Sequence, residues 1–281
     1  MLIIDSSTLI YSAFYKFGLT NWKNEPTGII YGFLDSTLML ANKLQTKNVV
    51  FCFDSRSSLR KEFFRDYKSR HNNLTEEEIE IAKLRRKQED KIKSNILRKI
   101  GFKNIFYNDG YEADDLISYL VRKYPGSTVA TNDCDLYQNL NYCQIIDPKG
   151  KDILTKKDFS EKYKINPDMW VLAKAIGGCL SDQIPGIKGI GDPKNSSSKA
   201  LKFINGELKG KLYEKIISEE GQEIISRNLR LVTCPYDNYD FNISLRKNRI
   251  TKERIELVLR QFSFYNMLKE EKFKLWNIFL D

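Results

Sequence analysis

The sequence predicts an α/β fold: a mostly parallel sheet with helices on both faces. Three observations predict it. Short apolar runs alternate with stretches of helical periodicity through the first half of the 281-residue chain. The runs are unbroken and rich in branched residues, as strands covered on both faces are. Several of them end at or near an acidic residue, the place where open α/β sheets carry ligand groups.

The elements follow in order. Leu2-Ile3-Ile4 is a first strand closing in Asp5. Ile29 to Leu44 repeats apolar residues at helical spacing. Asn48 to Phe53 (NVVFCF) reads as a buried strand closing in Asp54. Thr75 to Gly101 is the best-defined helix. Thr75 and Glu78 form a capping box, acids fill the first turns, Arg98 and Lys99 sit in the last turn, and Gly101 stops it. Between Lys83 and Lys103 it carries nine basic residues and two acidic ones. A solvated face explains some of that excess, and a phosphate-facing helix explains the rest. Phe102 to Tyr107 holds another apolar run, Ala113 to Tyr124 reads as a helix, and Ser127 to Thr131 is β-branched with Asp133 just beyond. Tyr142 to Ile146 is a fifth strand. Strand signals then fade. Asn166-Pro167 opens a helix that Gly177-Gly178 ends, and a turn-rich stretch leads into short helices. A boundary near residue 150 separates an α/β part, 1–150, from a helical part, 151–281.

Composition narrows the function. Hydrophobic residues are 41% and charged residues 30%, the profile of a globular chain rather than a disordered one. No apolar run reaches the roughly 18 residues of a membrane span, and Asp5 interrupts the first stretch before it resembles a secretory leader. Five cysteines without framework or CxxC spacing point to a reducing cytoplasm and away from structural zinc. The net charge of +9 favours a polyanion, nucleic acid before an anionic membrane, over a merely solvated surface.

The acids carry the chemistry. Asp5, Asp54 and Asp133 follow strands, Glu112, Asp114 and Asp115 cluster where a turn enters a helix, and Asp135 lies two residues past Asp133. In a parallel sheet these seven converge on one edge. Like charges so close push pKa values up, and a divalent cation relieves them. Hard oxygen ligands select Mg²⁺ or Mn²⁺, and no competing cluster exists because His71 is the sole histidine. Two such ions suit phosphodiester displacement. Each acid taken singly is as readily a helix cap or a loop residue. The second feature is Ile184 to Gly191, where apolar residues alternate with glycines. Such a hairpin exposes N–H groups to a DNA phosphate, or is a plain turn.

Taken in order, these residues resemble the phage and bacterial 5′-nucleases, the flap endonuclease and 5′–3′ exonuclease family. The resemblance rests on Asp5, PTGIIYG (Pro26 to Gly32), Phe53-Asp54, Arg60, Tyr67-Lys68, YEADD (Tyr111 to Asp115), TNDCDL (Thr131 to Leu136) and SDQIPGIKGIG (Ser181 to Gly191). It implies a resolvase-like (PIN-like) nuclease domain, a helical arch over about 60–100 that admits a 5′ single strand, and a helix-three-turn-helix with its hairpin at 181–194. It implies one metal on Asp5, Asp54, Glu112 and Asp114 with Asp115 in support, and a second on Asp133, Asp135 and Asp182. Lys68 would contact the scissile phosphate. Arg60, Tyr67 and Arg70, with Phe63 and Phe64, would meet the nucleic acid at the arch. Gly186, Lys188, Gly189, Gly191 and Lys194 would hold the duplex, with K⁺ at the hairpin. The implied partner is DNA with a 5′ flap, nick or RNA primer, bound by a cytoplasmic monomer.

The chain departs from the family pattern. Cys179 stands where a carboxylate of the second metal site is expected, which implies a weaker site and a shift towards Mn²⁺. Ser12 replaces a common arginine, and the turn after Gly191 is longer and serine-rich. Two other readings follow from the same residues: a non-catalytic, structure-specific DNA-binding protein, and a small acidic-site ribonuclease.

Overall fold

The computed structural model describes residues 1–18, 21–22, 25–69 and 75–280. Its centre is a six-stranded sheet in the order Ile105–Phe106, Val49–Cys52, Leu2–Asp5, Ser127–Ala130, Cys143–Ile146, Ile153–Leu154. The first five strands are parallel, and the last pairs antiparallel. Leu2 lies opposite Val49 on one side and Thr128 on the other. The strand at the chain's start is therefore central.

The unbroken apolar runs have a direct cause. Leu2, Ile4, Val49, Phe51, Ala130 and Ile146 face one core. Ile3, Val50, Cys52, Val129 and Ile145 face another. Successive side chains point to opposite faces, so both faces need apolar residues when both are covered. The first face is covered by helices Ser6–Phe17 and Gly28–Lys43. Helix Ala113–Lys123 covers the second, with Lys156–Tyr163 and Trp170–Gly177 behind it.

The charged helix forms where its caps place it. Thr75 Oγ1 accepts from Glu78 N at 3.2 Å, and Thr75 N donates to Glu78 Oε2 at 2.8 Å. The α-helix Glu76–Lys91 continues as a π-helical stretch, Ile92–Ile96, and a last α turn, Leu97–Ile100. Its first fully buried residue is Gln88, whose Oε1 accepts the N–H groups of Ile29 and Ile30. The acidic first turns, 75–80, are exposed, Arg85 lies over the Tyr11 ring, and Ile92, Ile96, Leu97 and Ile100 anchor the far end in the core. Gly101 ends the helix at φ +117°, and a Cβ there would lie 2.0 Å from the Arg249 carbonyl oxygen.

Beyond Trp170–Gly177 comes a tight antiparallel hairpin of Gly178–Cys179 with Ile184–Pro185. Gly186 passes so near Gly177 that a Cβ would sit 2.2 Å from its carbonyl carbon. Helices Lys199–Ile204, Lys211–Ile217 and Glu219–Val232 complete a third apolar cluster around Ile176, Ile187 and Ile216.

The division expected at residue 150 does not follow the cores. Strand Ile153–Leu154 belongs to the sheet, too short to show periodicity. Helix Lys252–Gln261 and the turns to Phe279 return to the first face. There Ile255, Val258, Leu259, Met267 and Trp276 share a core with Leu2 and Phe33. Among the described residues no helix is long and apolar enough to cross a membrane.

Candidate active site

Parallel pairing of three adjacent strands brings their carboxyl ends together, and the acids follow. Asp5 closes the central strand and caps the next helix, accepting from Thr8 N at 3.1 Å and from Thr131 Oγ1 at 2.8 Å. Asp54 lies two residues past the neighbouring strand, with Ala113 N donating to its Oδ1 at 2.8 Å and Ser7 Oγ to its Oδ2. That contact docks the helix carrying Glu112 and Asp114 against the strand carrying Asp54. Asp133 caps a 3₁₀ turn on the other side, accepting from Asp135 N at 2.9 Å. Asp182 enters from the hairpin loop, where its carbonyl accepts from Lys68 N at 3.0 Å.

The charges show that these acids lie close enough to raise one another. Burial, then the charge on Asp54, holds the Asp5 carboxyl above its ordinary range. Burial, then Asp133 and Asp5, pushes Asp114 well up. Burial and Asp135 push Asp133 to about 7. Burial pushes Asp182 to about 6, although Lys68 pulls the other way. A bound cation would relieve acids that raise one another in this way. A hard, oxygen-seeking divalent ion fits them. Glu112 differs: burial raises it, but Lys68 at 2.9 Å and Arg60 outweigh burial and leave it low. Tyr67 and Lys68 both donate to Glu112 Oε2.

A stability prediction follows. A carboxyl raised by folding stabilises the protein fully below its unfolded value and stops doing so as pH climbs through its folded value. For Asp133 and Asp182 that window runs from 3.8 to about 7. The lowered Glu112 and Asp135 act in the opposite sense only below their ordinary values of 4.5 and 3.8. In chelator, the urea midpoint should fall between about pH 4 and about pH 7.5, and saturating Mg²⁺ should flatten that slope. A midpoint that is flat in chelator contradicts the crowded cavity.

The second acid group is mixed. Ligand atoms of Asp135, Cys179 and Asp182 lie within 4.8 Å of one another. Cys179 Sγ is 3.7 Å from Asp135 Oδ2 and 2.9 Å from Ser181 Oγ. Burial and Asp135 push this thiol up to about 11, so it is protonated at neutral pH. Lys174, 1% exposed, donates to Asp135 at 2.8 Å and stands 3.9 Å from Asp192. Burial works against its charge, but Asp135 outweighs burial and raises it. Sequence reasoning missed Lys174. The available signal was a lysine inside an otherwise apolar helix, WVLAKAIG.

Three expected contacts are corrected. Arg60 does not face nucleic acid. It is 3% exposed, forks onto Asp115 with two bonds of 2.7 Å, and donates to the carbonyls of Leu231 and Thr233. Asp115 is not a free ligand, because Arg60, Glu112 N and Tyr236 N saturate its two oxygens. It positions Glu112 instead. Tyr67 is 2% exposed and holds Glu112, so it offers no face for stacking. Arg70 lies outside the described residues.

The remaining contacts sit at the rim. Phe63 is 40% exposed under Arg230, and Phe64 is half-buried under Arg227. Gly186 is committed to packing against Gly177, whereas Lys188, Gly189 and Gly191 are exposed. Lys194 lines a cavity of about 990 Å³ with Asp133, Tyr11 and Tyr15. On the other side of Tyr11, whose ring lies 4.2 Å from the Arg85 guanidinium, a cavity of about 540 Å³ opens over Asp54. Arg56, Lys83, Lys93 and Glu89 help to line it.

Comparison with known proteins agrees with this geometry. Residues 1–164 match the family model of the 5′-3′ exonuclease N-terminal, resolvase-like domain. The 5′-3′ exonuclease of Aquifex aeolicus is 27% identical over 284 residues, covering 96% of this chain and 94% of that protein. DNA polymerase I of Caldicellulosiruptor bescii is 27% identical over 295 residues, covering 96% of this chain. The chain spans about a third of the length of that polymerase. Among solved structures, bacteriophage T5 5′-exonuclease with divalent metal ions (zinc) bound superposes with a TM-score of 0.67 at 21% identity. That match covers 83% of this chain and 88% of the phage protein, and it shows the shared fold.

Proposed function

Because the chain belongs to the 5′-3′ exonuclease family with an N-terminal resolvase-like domain, we propose that it is a metal-dependent, structure-specific 5′-nuclease. Its substrates would be branched or nicked DNA, or RNA primers on DNA, during replication. One observation carries this reading. Asp5, Asp54 and Asp133 at the ends of adjacent parallel strands, with Asp114 on the next helix, raise or neighbour one another beside a cavity that Lys83, Arg85 and Lys93 line.

Divalent cations, when bound, would make a water nucleophilic and offset the charge of the transferring phosphoryl group. Asp5, Asp54, Glu112 and Asp114 would hold one ion, and Asp133, Asp135 and Asp182 a second. The donors fit Mg²⁺ or Mn²⁺ at the first position. At the second, Cys179 supplies a neutral thiol and Lys174 already neutralises Asp135. Lys68 sits between Glu112 and Asp182 with its side chain 41% exposed. Burial opposes its charge, yet Glu112, Tyr67, Asp182 and Asp54 together outweigh burial and keep the ammonium protonated. It is placed to meet the negative charge that develops on the scissile phosphate.

The hairpin would act on the duplex. Helices Trp170–Gly177 and Lys199–Ile204 flank the segment that exposes Lys188, Gly189 and Gly191. We read this segment as a helix-three-turn-helix that would offer backbone N–H groups to a phosphate and a place for K⁺. We read the protein as acting as a monomer in the cytoplasm.

The test is a labelled 5′-flap duplex incubated with Mg²⁺ or Mn²⁺. Cleavage near the junction, abolished by chelator, is the expected result. Binding without cleavage in either metal would leave a DNA-binding protein of the same fold. The second metal position has its own test. Cys179→Asp should raise the rate in Mg²⁺ by at least about tenfold and narrow the gap between Mg²⁺ and Mn²⁺. Unchanged rates would mean that the thiol is not the weak point.

A further inference from the structure

We propose that a basic track along the edge strand Ile105–Phe106 carries the 5′ single strand away from the active site. This rests on the nuclease reading above. The track begins at the cavity over Asp54, which Lys93 lines. The Lys93 ammonium also stands 4.7 Å from the centre of the Tyr107 ring. Tyr107 is 52% exposed and lies at the carboxyl end of the edge strand. It opens a cavity of about 550 Å³ that Arg98, Lys103 and Arg246 also line. Lys103 and Arg246 in turn line a third cavity of about 770 Å³, which adds Lys47, Lys247 and Arg249. The two lower cavities share Lys103 and Arg246, and the contact of Lys93 with Tyr107 joins the cavity over Asp54 to them. From Tyr107 to Lys103 the track descends about 13 Å, four residues of extended chain.

The cations are held on a built frame. Arg246 N donates to Asn104 Oδ1 at 2.8 Å, and Asn104 Nδ2 returns a bond to the Arg246 carbonyl at 2.9 Å. Lys103 N donates to Asn248 Oδ1 at 2.9 Å, and Arg249 N to the Gly101 carbonyl at 2.8 Å. Only a glycine at 101 lets the two segments meet so closely. No carboxylate of the described residues lines either lower cavity. The cavity over Asp54, in contrast, mixes cations with Asp54, Glu89 and Asp90. A cationic groove without acids recruits phosphates. The exposed Tyr107 beside it adds a stacking face, which unpaired bases can use and paired ones cannot. These features favour a single strand over a duplex.

The experiment uses the whole chain and a triple variant, Lys103→Ala with Arg246→Ala and Arg249→Ala. Two labelled duplexes carry 5′ flaps of about two and about 12 nucleotides. Binding is followed by fluorescence anisotropy in chelator across a salt titration. For the long flap, the variant should bind on the order of tenfold more weakly near 0.1 M salt. Its slope of log affinity against log salt should shrink by about 2, from three lost contacts at about 0.7 each. The short flap should bind and be cleaved as by the parent protein. Equal behaviour on both flaps, or equal weakening on both, would overturn the track. Cleavage of the short flap by the parent protein with metal reports separately on the nuclease reading, because the salt slopes need no cleavage.

Discussion

Asp133→Asn should lower single-turnover cleavage of a 5′-flap duplex by about a thousandfold or more while leaving the protein folded. Asp133 stands between the two acid groups. Its charge is the strongest neighbouring influence on Asp114, and it feels Asp135, Asp182 and Asp5 in turn. The amide keeps the shape and can still accept from Asp135 N, so the 3₁₀ turn keeps its cap. What is lost is a carboxylate at the place proposed to hold the second cation. Ions of this kind supply several kcal/mol of transition-state stabilisation, and each 1.36 kcal/mol is tenfold in rate. A second readout separates this role from a structural one. Removing one of several repelling charges should make the metal-free protein more stable in urea, not less. A rate within tenfold of the parent, or a loss of metal-free stability, would assign Asp133 to the scaffold.

Arg60→Met should do the reverse, damaging the fold before the chemistry. Arg60 and Asp115 are 3% and 0% exposed and joined by two bonds of 2.7 Å. Removing the guanidinium leaves a carboxylate buried without its counter-charge and strips the carbonyls of Leu231 and Thr233 of a donor. Breaking such a pair from one side costs roughly 3–5 kcal/mol. The whole fold is worth about 5–15 kcal/mol, so the loss should appear as a large drop in urea midpoint. Asp115 also holds the backbone N–H of Glu112, so weaker metal binding should accompany it. A variant of parental stability that binds DNA more weakly would return Arg60 to the substrate surface.

Arg60 also marks where the sequence stops being legible. The strands are readable because each buries both faces, and an unbroken apolar run records that locally. The charged helix is readable because Thr75, Glu78 and Gly101 mark its ends. The acids are readable because strand ends and parallel pairing place them together. Nothing local tells a cation that faces a phosphate from one that meets a carboxylate 55 residues along the chain. The same holds for Tyr67 and Glu112. Lys174 carried a faint mark, one charge in an apolar helix, but its partner Asp135 lies in another element. The return of residues 252–279 to the core of Leu2 was invisible for the same reason, since such packing leaves no periodic trace. Ile153–Leu154 is two residues long, below any pattern.

The whole account depends on a cation held by side chains from three separate segments. Anomalous diffraction from crystals soaked in Mn²⁺ measures this directly. The expected result is a strong peak about 2.1 Å from carboxylate oxygens of Asp5, Asp54 and Asp114. A weaker one is expected beside Asp135 and Asp182, strengthened by Cys179→Asp. Peaks confined to surface acids, or none inside the cavity, would contradict it.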